Sequence, residues 1–351
     1  MKEVKFPNLG KISPEFFEAI IYPHLGAKRE EVLVEPQHGV DTGIIRLTQG
    51  KVMAVTTDPI YIVPQFGWDE AAWFAWHILA SDVTTSGFPP AYIIPDWNLP
   101  VSVDEKSFTI IWERWHAESV RYGASIIAGH TARYTGTDFP MVGGATFIAV
   151  GDEDKYLTPQ MARPGDRLII TKGPAIEATA IMASLFSEKT KALVGERLAA
   201  EGRELFFSMS TVDDALTAAQ LGLRATVTSF HDATECGVLG GVYEVAEASQ
   251  VGLFIDLDKI ELSPAIEAIC QVYQMDPFIS ISEGTLLITV RPEGAQQVLK
   301  ALQKKNIPAF LCGEILSLKE GRWVKRKGET KPLEHPRIDP FWQAVKQVAE
   351  E

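Results

Sequence analysis

Cysteine is scarce in this sequence. Cys236, Cys270 and Cys312 are the three cysteines among 351 residues, and no C-x-x-C pair occurs. Their number and spacing indicate neither a disulfide framework nor a structural zinc site. Unpaired thiols fit a reducing compartment, so we expect a cytoplasmic protein.

Long apolar runs and an excess of basic charge are also missing. Residues 1–7 contain no long apolar core, so no signal peptide is expected, and the apolar run 71–80 is too short to span a bilayer. Aspartate and glutamate number 46 against 33 lysines and arginines, giving a net charge of −13. This balance disfavours binding to nucleic acid or to an anionic membrane. A nucleotide remains compatible with it, because Mg²⁺ can bridge carboxylates to phosphates.

Several common catalytic fingerprints are absent as well. The sequence has no G-x-x-x-x-G-K-S/T motif and no G-x-G-x-x-G motif after a strand. It also lacks H-E-x-x-H and G-x-S-x-G, so neither zinc-dependent hydrolysis nor a serine hydrolase is indicated. Any phosphate site must therefore use another scaffold.

The length predicts two domains or more, and the local patterns predict an α/β or α+β layer for the first and an α+β fold for the second. The chain is long enough for two domains, and 46% hydrophobic with 23% charged residues is ordinary for a soluble globular protein. The turn-rich segment 151–165 predicts a domain boundary. We expect an N-terminal domain over 1–155, a second domain over 156–330 and a C-terminal tail helix over 331–351. Strands are expected at 44–47, 51–57, 91–95, 124–128, 141–150, 167–171, 225–228, 253–257, 285–290 and 309–316. Helices are expected at 104–122, 175–184, 243–248, 264–273 and 293–305.

Four further signals concern helix ends and strand ends. Ser13 with Pro14 predicts a helix start, and Asp69 is expected to cap the helix containing 71–76. Ser210 and Asp213 resemble a capping box for a helix ending near 221–222. Pro59 is expected to stop the strand 51–57, which would leave Asp58 at a strand end.

Aspartates recur at the ends of predicted elements. Asp41 lies in a glycine-flanked turn, Asp58 precedes a proline, and Asp82 lies at the end of a helix that is expected to be buried. Asp232 has a similar position in the second half of the chain. Such hard oxygen ligands suit Mg²⁺ shared with substrate phosphates. Aspartate is common in turns, so an ordinary turn-forming role is the alternative at each position.

The stretch 229–241, Ser-Phe-His-Asp-Ala-Thr-Glu-Cys-Gly-Val-Leu-Gly-Gly, combines several features of an anion site. It follows a predicted strand and precedes a predicted helix, and Asp232 and Thr234 can cap that helix. The glycines allow close backbone approach to a ligand, and free N–H groups at a helix start favour phosphate. The alternative is an ordinary capped helix. Cys236 is interpreted as a small packing residue. The alternative is a nucleophile, because a helix start stabilises a thiolate.

Three more positions have both a functional and a structural interpretation. Lys172, beside Gly173, could contact a phosphate or be a solvated lysine at a strand end. His130 could be a ligand, a proton shuttle or a structural turn histidine. Glu283 is, from its local context, an acid in a turn.

Several of these motifs together resemble one family. They are Thr-Thr-Asp-Pro at 56–59, Ser-Asp at 81–82, Gly-His-Thr at 129–131, His-Asp-Ala-Thr at 231–234 followed by Gly237, and Ser-Glu-Gly at 282–284. In order and spacing they resemble aminoimidazole ribonucleotide (AIR) synthase and its relatives over about residues 10–316. The opening, 11–26, is most similar to the HypE-like branch of that superfamily.

The resemblance implies a fold and a chemistry. Family members are two-domain proteins whose N-terminal strands form a barrel shared by a homodimer. They bind ATP and Mg²⁺ in a cleft and activate a small substrate by phosphoryl transfer, and a maturation partner protein is possible. By this resemblance Asp41, Asp58, Asp82 and Asp232 bind the metal. The expected ATP-binding residues are Asp58, Asp82, Lys172, Gly173, Thr234, Gly237 and Glu283. The expected catalytic residues are Asp232, His130 and His231.

The sequence departs from the family pattern at four positions. Val40 replaces one of two paired aspartates, and His130, a poorer Mg²⁺ ligand, replaces an acid. Cys236 occupies a glycine position. Asp339 follows Pro-Arg-Ile where HypE ends in the cysteine that carries its carbamoyl group, and a carboxylate cannot form that thiocarbamate. We therefore expect an ATP-using enzyme of the HypE-like branch. One alternative is AIR synthase activity itself, and the other is a non-catalytic nucleotide-binding or assembly role.

Overall fold

The computed structural model describes residues 14–350. The predicted cap Ser13 and the N-terminal residues 1–7 lie outside that range. Helix α1 (Pro14–Phe16) begins at the predicted proline and continues as irregular helical turns to His24. The fold is mixed α and β, as predicted, and residues 14–350 contain two seven-stranded sheets.

The strands and helices follow one another in a mixed order. The strands of the first sheet are β1 (Val32–Val34), β2 (Gly43–Arg46), β3 (Lys51–Tyr61), β4 (Tyr92–Pro100), β5 (Ser125–Ile126), β6 (His130–Tyr134) and β7 (Met141–Asp152). Those of the second are β8 (Arg167–Thr171), β9 (Val227–Ala233), β10 (Gly252–Asp256), β11 (Thr285–Val290), β12 (Ala309–Leu316), β13 (Arg322–Arg326) and β14 (Glu329–Pro332). The remaining helices are α2 (Trp68–Thr84), α3 (Glu105–Tyr122), α4 (Ile176–Leu185), α5 (Ser187–Val194), α6 (Glu196–Glu204), α7 (Val212–Ala219), α8 (Gly237–Ala248), α9 (Pro264–Val272), α10 (Ala295–Lys304) and α11 (Pro340–Ala349).

The first sheet is covered on one face by α2 and α3. Its strand order is β1-β2-β3-β7-β4, with β5 and β6 both paired to β4. Buried and partly exposed residues alternate along β3 and β4, as expected for strands with one packed face. The packed face and the helices enclose a core of large aromatics, including Trp76, Trp97, Trp115 and Phe147.

Strand β3 continues past the proline that was expected to end it. Asp58 and Pro59 pair with Ala145 and Gly144 of β7, and the strand ends at Tyr61, so the predicted strand end at Asp58 is wrong. The register is irregular between Pro59 and Tyr61. Proline is tolerated in a sheet at such irregular positions, because no ladder hydrogen bond from its nitrogen is needed there.

The second sheet has the order β14-β13-β10-β12-β8-β11-β9. Every residue of β9 and β11 is buried, because helices cover both faces of these strands. One face packs against α8 through Val238 and Val242, and the other packs against α7 and α10. The hairpin β13–β14 was not predicted from the sequence.

The segment 229–241 differs from its predicted form. His231 and Asp232 lie within β9, and Asp232 pairs with Leu286 of β11, so both belong to a strand and not to a turn. Helix α8 begins after Cys236, whose side chain makes no capping hydrogen bond. The prediction that Asp232 and Thr234 cap this helix is therefore wrong, since the strand holds Asp232 too early in the chain.

Two other predicted caps are also wrong. Asp69 lies in the first turn of α2, after the N-cap Gly67, and its carboxylate pairs with Arg114. Helix α7 has Thr211 at its N-cap without a side-chain capping bond. Ser210 accepts the N–H of Val212 at 3.4 Å, one position away from the predicted capping box, and its hydroxyl also hydrogen-bonds Nδ1 of His77 at 2.7 Å. Tertiary partners thus bind both Asp69 and Ser210, and they shift these residues from their predicted capping positions.

Helix α2 connects the two halves of the molecule. Trp76 packs in the core of the first sheet, whereas Trp73 and Phe74 pack in a cluster built mainly by α4, α9 and α11. None of the helices within 14–350 has the length and apolar character needed to cross a membrane.

Candidate functional site

A chain of charged groups crosses from the first half of the molecule to the second. His231, on β9, contacts Oδ2 of Asp41 through Nδ1 and Oε2 of Glu244 through Nε2, both at 2.9 Å. Asp41 lies just before β2, and Glu244 lies on α8. Burial alone would lower the pKa of His231, but the two carboxylates raise it well above its ordinary value. The imidazole is therefore protonated at neutral pH and donates one hydrogen bond from each nitrogen.

Asp232 lies beside this chain. It is 1% exposed, and one ligand atom each from Asp41, His231 and Asp232 lie within 4.8 Å of one another. Two oxygen ligands on opposite sides of a Mg²⁺ ion are about 4 Å apart. The two carboxylates thus fit a hard divalent cation in both spacing and chemistry. Since both ring nitrogens of His231 are occupied by carboxylates, His231 orients Asp41 and does not itself provide a metal ligand.

The other two predicted metal ligands lie on neighbouring elements. Thr56 on β3 donates a hydrogen bond to Oδ2 of Asp82, near the end of α2, at 3.2 Å. Asp58 lies two residues after Thr56 and so points to the same face of β3. Strand β2, which Asp41 precedes, pairs with β3, and α2 contacts β9. The elements that carry the four aspartates are therefore adjacent.

Three predicted nucleotide-binding positions converge at the ends of β8, β9 and β11. The N–H of Ser282 donates to the carbonyl of Thr234 at 3.2 Å, and that of Glu283 donates to Oε2 of Glu177 at 3.1 Å. The carbonyl of Gly173 accepts a bond from Thr285 at 2.5 Å. The structure thus brings Gly173, Thr234 and Glu283 to the same end of the neighbouring strands β8, β9 and β11, the end near which Asp232 also lies.

Gly237 serves a packing requirement. Its φ is +56°, and a Cβ at this position would overlap the carbonyl oxygen of Ser280. Glycine at 237 therefore allows the backbone to approach Ser280 closely, which is a contact within the protein and not with a ligand.

Lys172 is held by an ion pair. Its Nζ lies 2.7 Å from Oδ1 of Asp214 and 2.8 Å from the carbonyl oxygen of Ser210. The side chains of Lys172 and Asp214 are 11% and 3% exposed, so the lysine is not the solvated strand-end residue of the structural alternative. A buried carboxylate already neutralises its charge, and its observed contacts lie outside the Asp41–His231–Asp232 group.

His130 lies apart from the same group. It begins β6 on the exposed side of the first sheet, and its Nε2 lies 2.9 Å from the hydroxyl of Tyr134. Asp96 is its neighbour in the register of β4 and β6. Its described contacts are those of a surface histidine, and its catalytic role stays a prediction.

Glu244 was missed by sequence reasoning. A Cβ on Gly241, three residues earlier on α8, would contact the ring of His231, which shows that this face of the helix points at β9. The i, i+3 spacing places Glu244 on the same face. A glycine followed three residues later by an acid is too common a pattern to have identified it.

A second histidine cluster surrounds the same glutamate. Ligand atoms of His38, Glu244 and His335 also lie within 4.8 Å of one another, and Nε2 of His38 is 3.5 Å from Glu244. However, Nδ1 of His335 accepts the N–H of Arg337 at 3.0 Å. Its proton then lies on Nε2, and a ring with this arrangement offers no free lone pair to a metal ion. The cluster is therefore a group of neighbouring side chains, in which His38 contacts Glu244 and Nε2 of His335 has no hydrogen-bond partner among the described residues.

Comparison with known proteins identifies the family. Residues 39–150 match the family described as AIR synthase related protein, N-terminal domain, and residues 163–324 match the corresponding C-terminal domain. The chain belongs to the AIR synthase related family. The resemblance predicted from the five motifs is thereby confirmed.

Individual relatives in this family are distant. Carbamoyl dehydratase HypE of Rhizobium leguminosarum bv. viciae is 26% identical over 76% of this chain and 75% of its own length. Selenide, water dikinase of Citrifermentans bemidjiense is 25% identical over 87% of this chain and 92% of its own. A crystal structure of the hydrogenase maturation protein HypE in complex with ATP covers 95% of this chain and 97% of its own, with a TM-score of 0.68 and 19% identity. That of a HypE–HypF complex covers 84% and 93%, with a TM-score of 0.66 and 18% identity.

Proposed function

We propose that this protein is a cytoplasmic, ATP-dependent enzyme that activates a small substrate by phosphoryl transfer. Mg²⁺ would be held by Asp41, Asp58, Asp82 and Asp232. The observation that carries the proposal is the approach of Asp41 and Asp232, from opposite halves of the molecule, beside the charged His231. Relatives that are named as a dehydratase and a dikinase, and a neighbour solved with ATP, support the same class of chemistry.

The described groups suit a reaction that depends on positioning and charge neutralisation. Mg²⁺, when bound, would offset the negative charge of the phosphates. His231 keeps Asp41 oriented, and its own positive charge lowers the repulsion between Asp41 and Asp232. At the same end of the strands, the carbonyl of Thr234 accepts the N–H of Ser282, and Glu177 accepts the N–H of Glu283 and so fixes its backbone.

Calorimetric titration with Mg-ATP tests the proposal. We expect binding by the wild-type protein and at least tenfold weaker binding by Asp232→Asn and Asp58→Asn, as for loss of an interaction worth about 1.4 kcal/mol or more. Asp154→Asn, in an exposed turn, is the matched control and should bind as the wild type does. Absence of binding by the wild type up to millimolar ATP, or equal binding by all variants, contradicts the proposal.

A non-catalytic nucleotide-binding or assembly role is the second candidate. By the family resemblance, Val40 and His130 stand at positions of acids, so the resemblance implies that two potential metal ligands are missing. The HypE neighbour solved with HypF shows that this fold can engage a partner protein. Mg-ATP binding without release of phosphate, with or without candidate substrates, would favour this role over the enzymatic one.

We further propose a homodimer formed through the outer face of the first sheet. Val55, Ile148 and Tyr92 are cross-strand neighbours on β3, β7 and β4 and point away from α2 and α3. Tyr92 is 42% exposed and Met141, on the same strand as Ile148, is 59% exposed. Light scattering should show a dimer that Ile148→Lys converts to a monomer. Leu318→Lys, at an exposed apolar position elsewhere, is the control, and a dimer that survives Ile148→Lys would exclude this face.

A further inference from the structure

The turn that joins β9 to α8, residues 234–237, has backbone in an uncommon conformation. Cys236 has φ +64° and Gly237 has φ +56°, and the left-handed region is rare for a residue with a side chain. The side chain of Cys236 caps none of the first N–H groups of α8. Because the left-handed backbone is unfavourable and no side chain caps the helix, hydrogen bonds and packing contacts from other segments are needed to stabilise this turn.

One side of the turn is held by residues 278–282. Ser282 donates its N–H to the carbonyl of Thr234, and Leu239 donates its N–H to the carbonyl of Phe278 at 3.0 Å. Gly237 packs against the backbone of Ser280. These contacts lie on the side of β11, within the second sheet and its connections.

The C-terminal segment holds the other side. Oδ2 of Asp339 accepts the N–H of Cys236 at 2.8 Å, while Oδ1 accepts the N–H of Phe341 at 2.9 Å. The indole N–H of Trp342 donates to Oε1 of Glu235 at 3.0 Å. One carboxylate thus caps α11 with one oxygen and binds the turn with the other.

Helix α11 is itself firmly placed. Phe341 and Ala344 are each 3% exposed and join the cluster that contains Met182 of α4 and Ile269 of α9. Asp339 is 4% exposed. The segment is therefore anchored in the core and can fix the position of the turn that it contacts.

We propose that Asp339 is a positioning residue. Through the N–H of Cys236 it holds the 234–237 turn, and with it Thr234, in the arrangement beside Asp232 that the Mg²⁺–phosphate site requires. The C-terminal segment 339–349 acts as a fixed strap across the end of β9. The expected effect of Asp339 on ATP binding rests on the proposed function, whereas its expected effect on the conformation of the turn does not.

Asparagine at 339 separates the two contacts of the carboxylate. Its single side-chain oxygen can still cap α11, whereas its NH₂ group cannot accept the N–H of Cys236. In the full chain without nucleotide, Asp339→Asn should leave the amides of α11 protected and speed hydrogen exchange in 234–238 about tenfold or more, as for a lost charge-assisted hydrogen bond. Mg-ATP should bind about tenfold more weakly by the same measure. Trp342→Phe, which removes the bond to Glu235 and keeps an aromatic ring against the core, should show a smaller change of the same kind.

Asp104→Ala provides the control, because it removes an aspartate N-cap from α3 far from the turn. Exchange in 234–238 that is unchanged in Asp339→Asn, or equally fast in Asp104→Ala, overturns the strap. If Asp339→Asn speeds exchange in 234–238 but keeps an ATP affinity within twofold of the wild type, Asp339 is not a positioning residue for the nucleotide site. If the wild type binds no ATP, the proposed function fails, and the exchange measurement alone decides whether the strap exists.

Discussion

Replacing His231 by alanine provides the sharpest test of the charged chain between the two halves of the molecule. The variant would leave Asp41 and Glu244, 12% and 13% exposed, facing one another without the cation that both contact. Removing one partner of a buried ion pair costs about 3–5 kcal/mol, and the partial exposure of the acids places the expected loss near the lower end of that range. Urea unfolding of the full chain, followed by tryptophan fluorescence, measures the loss. His116→Ala, on the exposed face of α3, is the control.

The pH dependence of this loss is determined by the raised pKa of His231. A histidine whose pKa is higher in the folded than in the unfolded protein contributes its full stabilisation below the unfolded pKa. That stabilisation disappears as the pH rises through the folded pKa. The difference between wild type and His231→Ala should therefore be largest below pH 6.5, the ordinary value, and should shrink at alkaline pH. A loss equal to that of the His116 control, or a difference that grows with pH, would refute the reasoning.

Three further predictions concern other buried groups. Lys172→Met should destabilise the protein by about 3 kcal/mol, because Asp214 would remain buried without its cation, and adding Asp214→Asn should restore most of this loss in urea unfolding. Burial raises the pKa of Asp339 from 3.8 to about 6, so its contribution to stability is present at acid pH and lost as the pH rises between these values. At about 1.4 kcal/mol per pKa unit the change is about 3 kcal/mol, and Asp339→Asn should abolish it in unfolding measured at pH 4 and pH 7.5. Gly237→Ala should lower the free energy of unfolding by about 1–3 kcal/mol or more, because position 237 has a positive φ and the added Cβ would overlap Ser280. A loss below about 0.5 kcal/mol would contradict the packing role.

Much of the secondary structure follows from local patterns. Strands β11 and β12 have their predicted bounds, because runs of β-branched and aromatic residues between turn signals fit a buried sheet. Helix α3 ends at the predicted residue and begins one residue after the predicted start, since Asp104 caps it and Gly123, with φ +74°, ends it. Where the local signal and the tertiary environment agree, the sequence alone predicts the bounds of a strand or helix.

The errors occur where tertiary contacts override a local preference. Pro59 was expected to end a strand, but pairing with β7 carries β3 past it to Tyr61. Asp232 was expected in a turn, but β11 holds it inside a buried strand. Both predictions used the preference of a single residue, and neighbouring strands outweigh such a preference.

The candidate site was predictable in its acids and not in the groups that orient them. Asp41, His231 and Asp232 share recognisable motifs, so they could be named from the sequence. Glu244 has no comparable local signal, since it contacts His231 13 positions away. Asp339 before Pro340 has the local signal of a helix cap, but that signal does not show that its second oxygen accepts the N–H of Cys236, 103 positions away. Only a folded chain shows which helix face or tail reaches a given backbone group.

The placement of Asp41 and Asp232 on separate halves of the chain has a consequence for dissection of the protein. If the polypeptide were divided between β7 and β8, each fragment would keep one carboxylate and would lack the other. Fragment 14–152 would also lose the histidine that orients Asp41, and fragment 167–350 would keep His231 paired to Glu244 alone. Metal–nucleotide affinity should then return on mixing the fragments, in proportion to their reassociation.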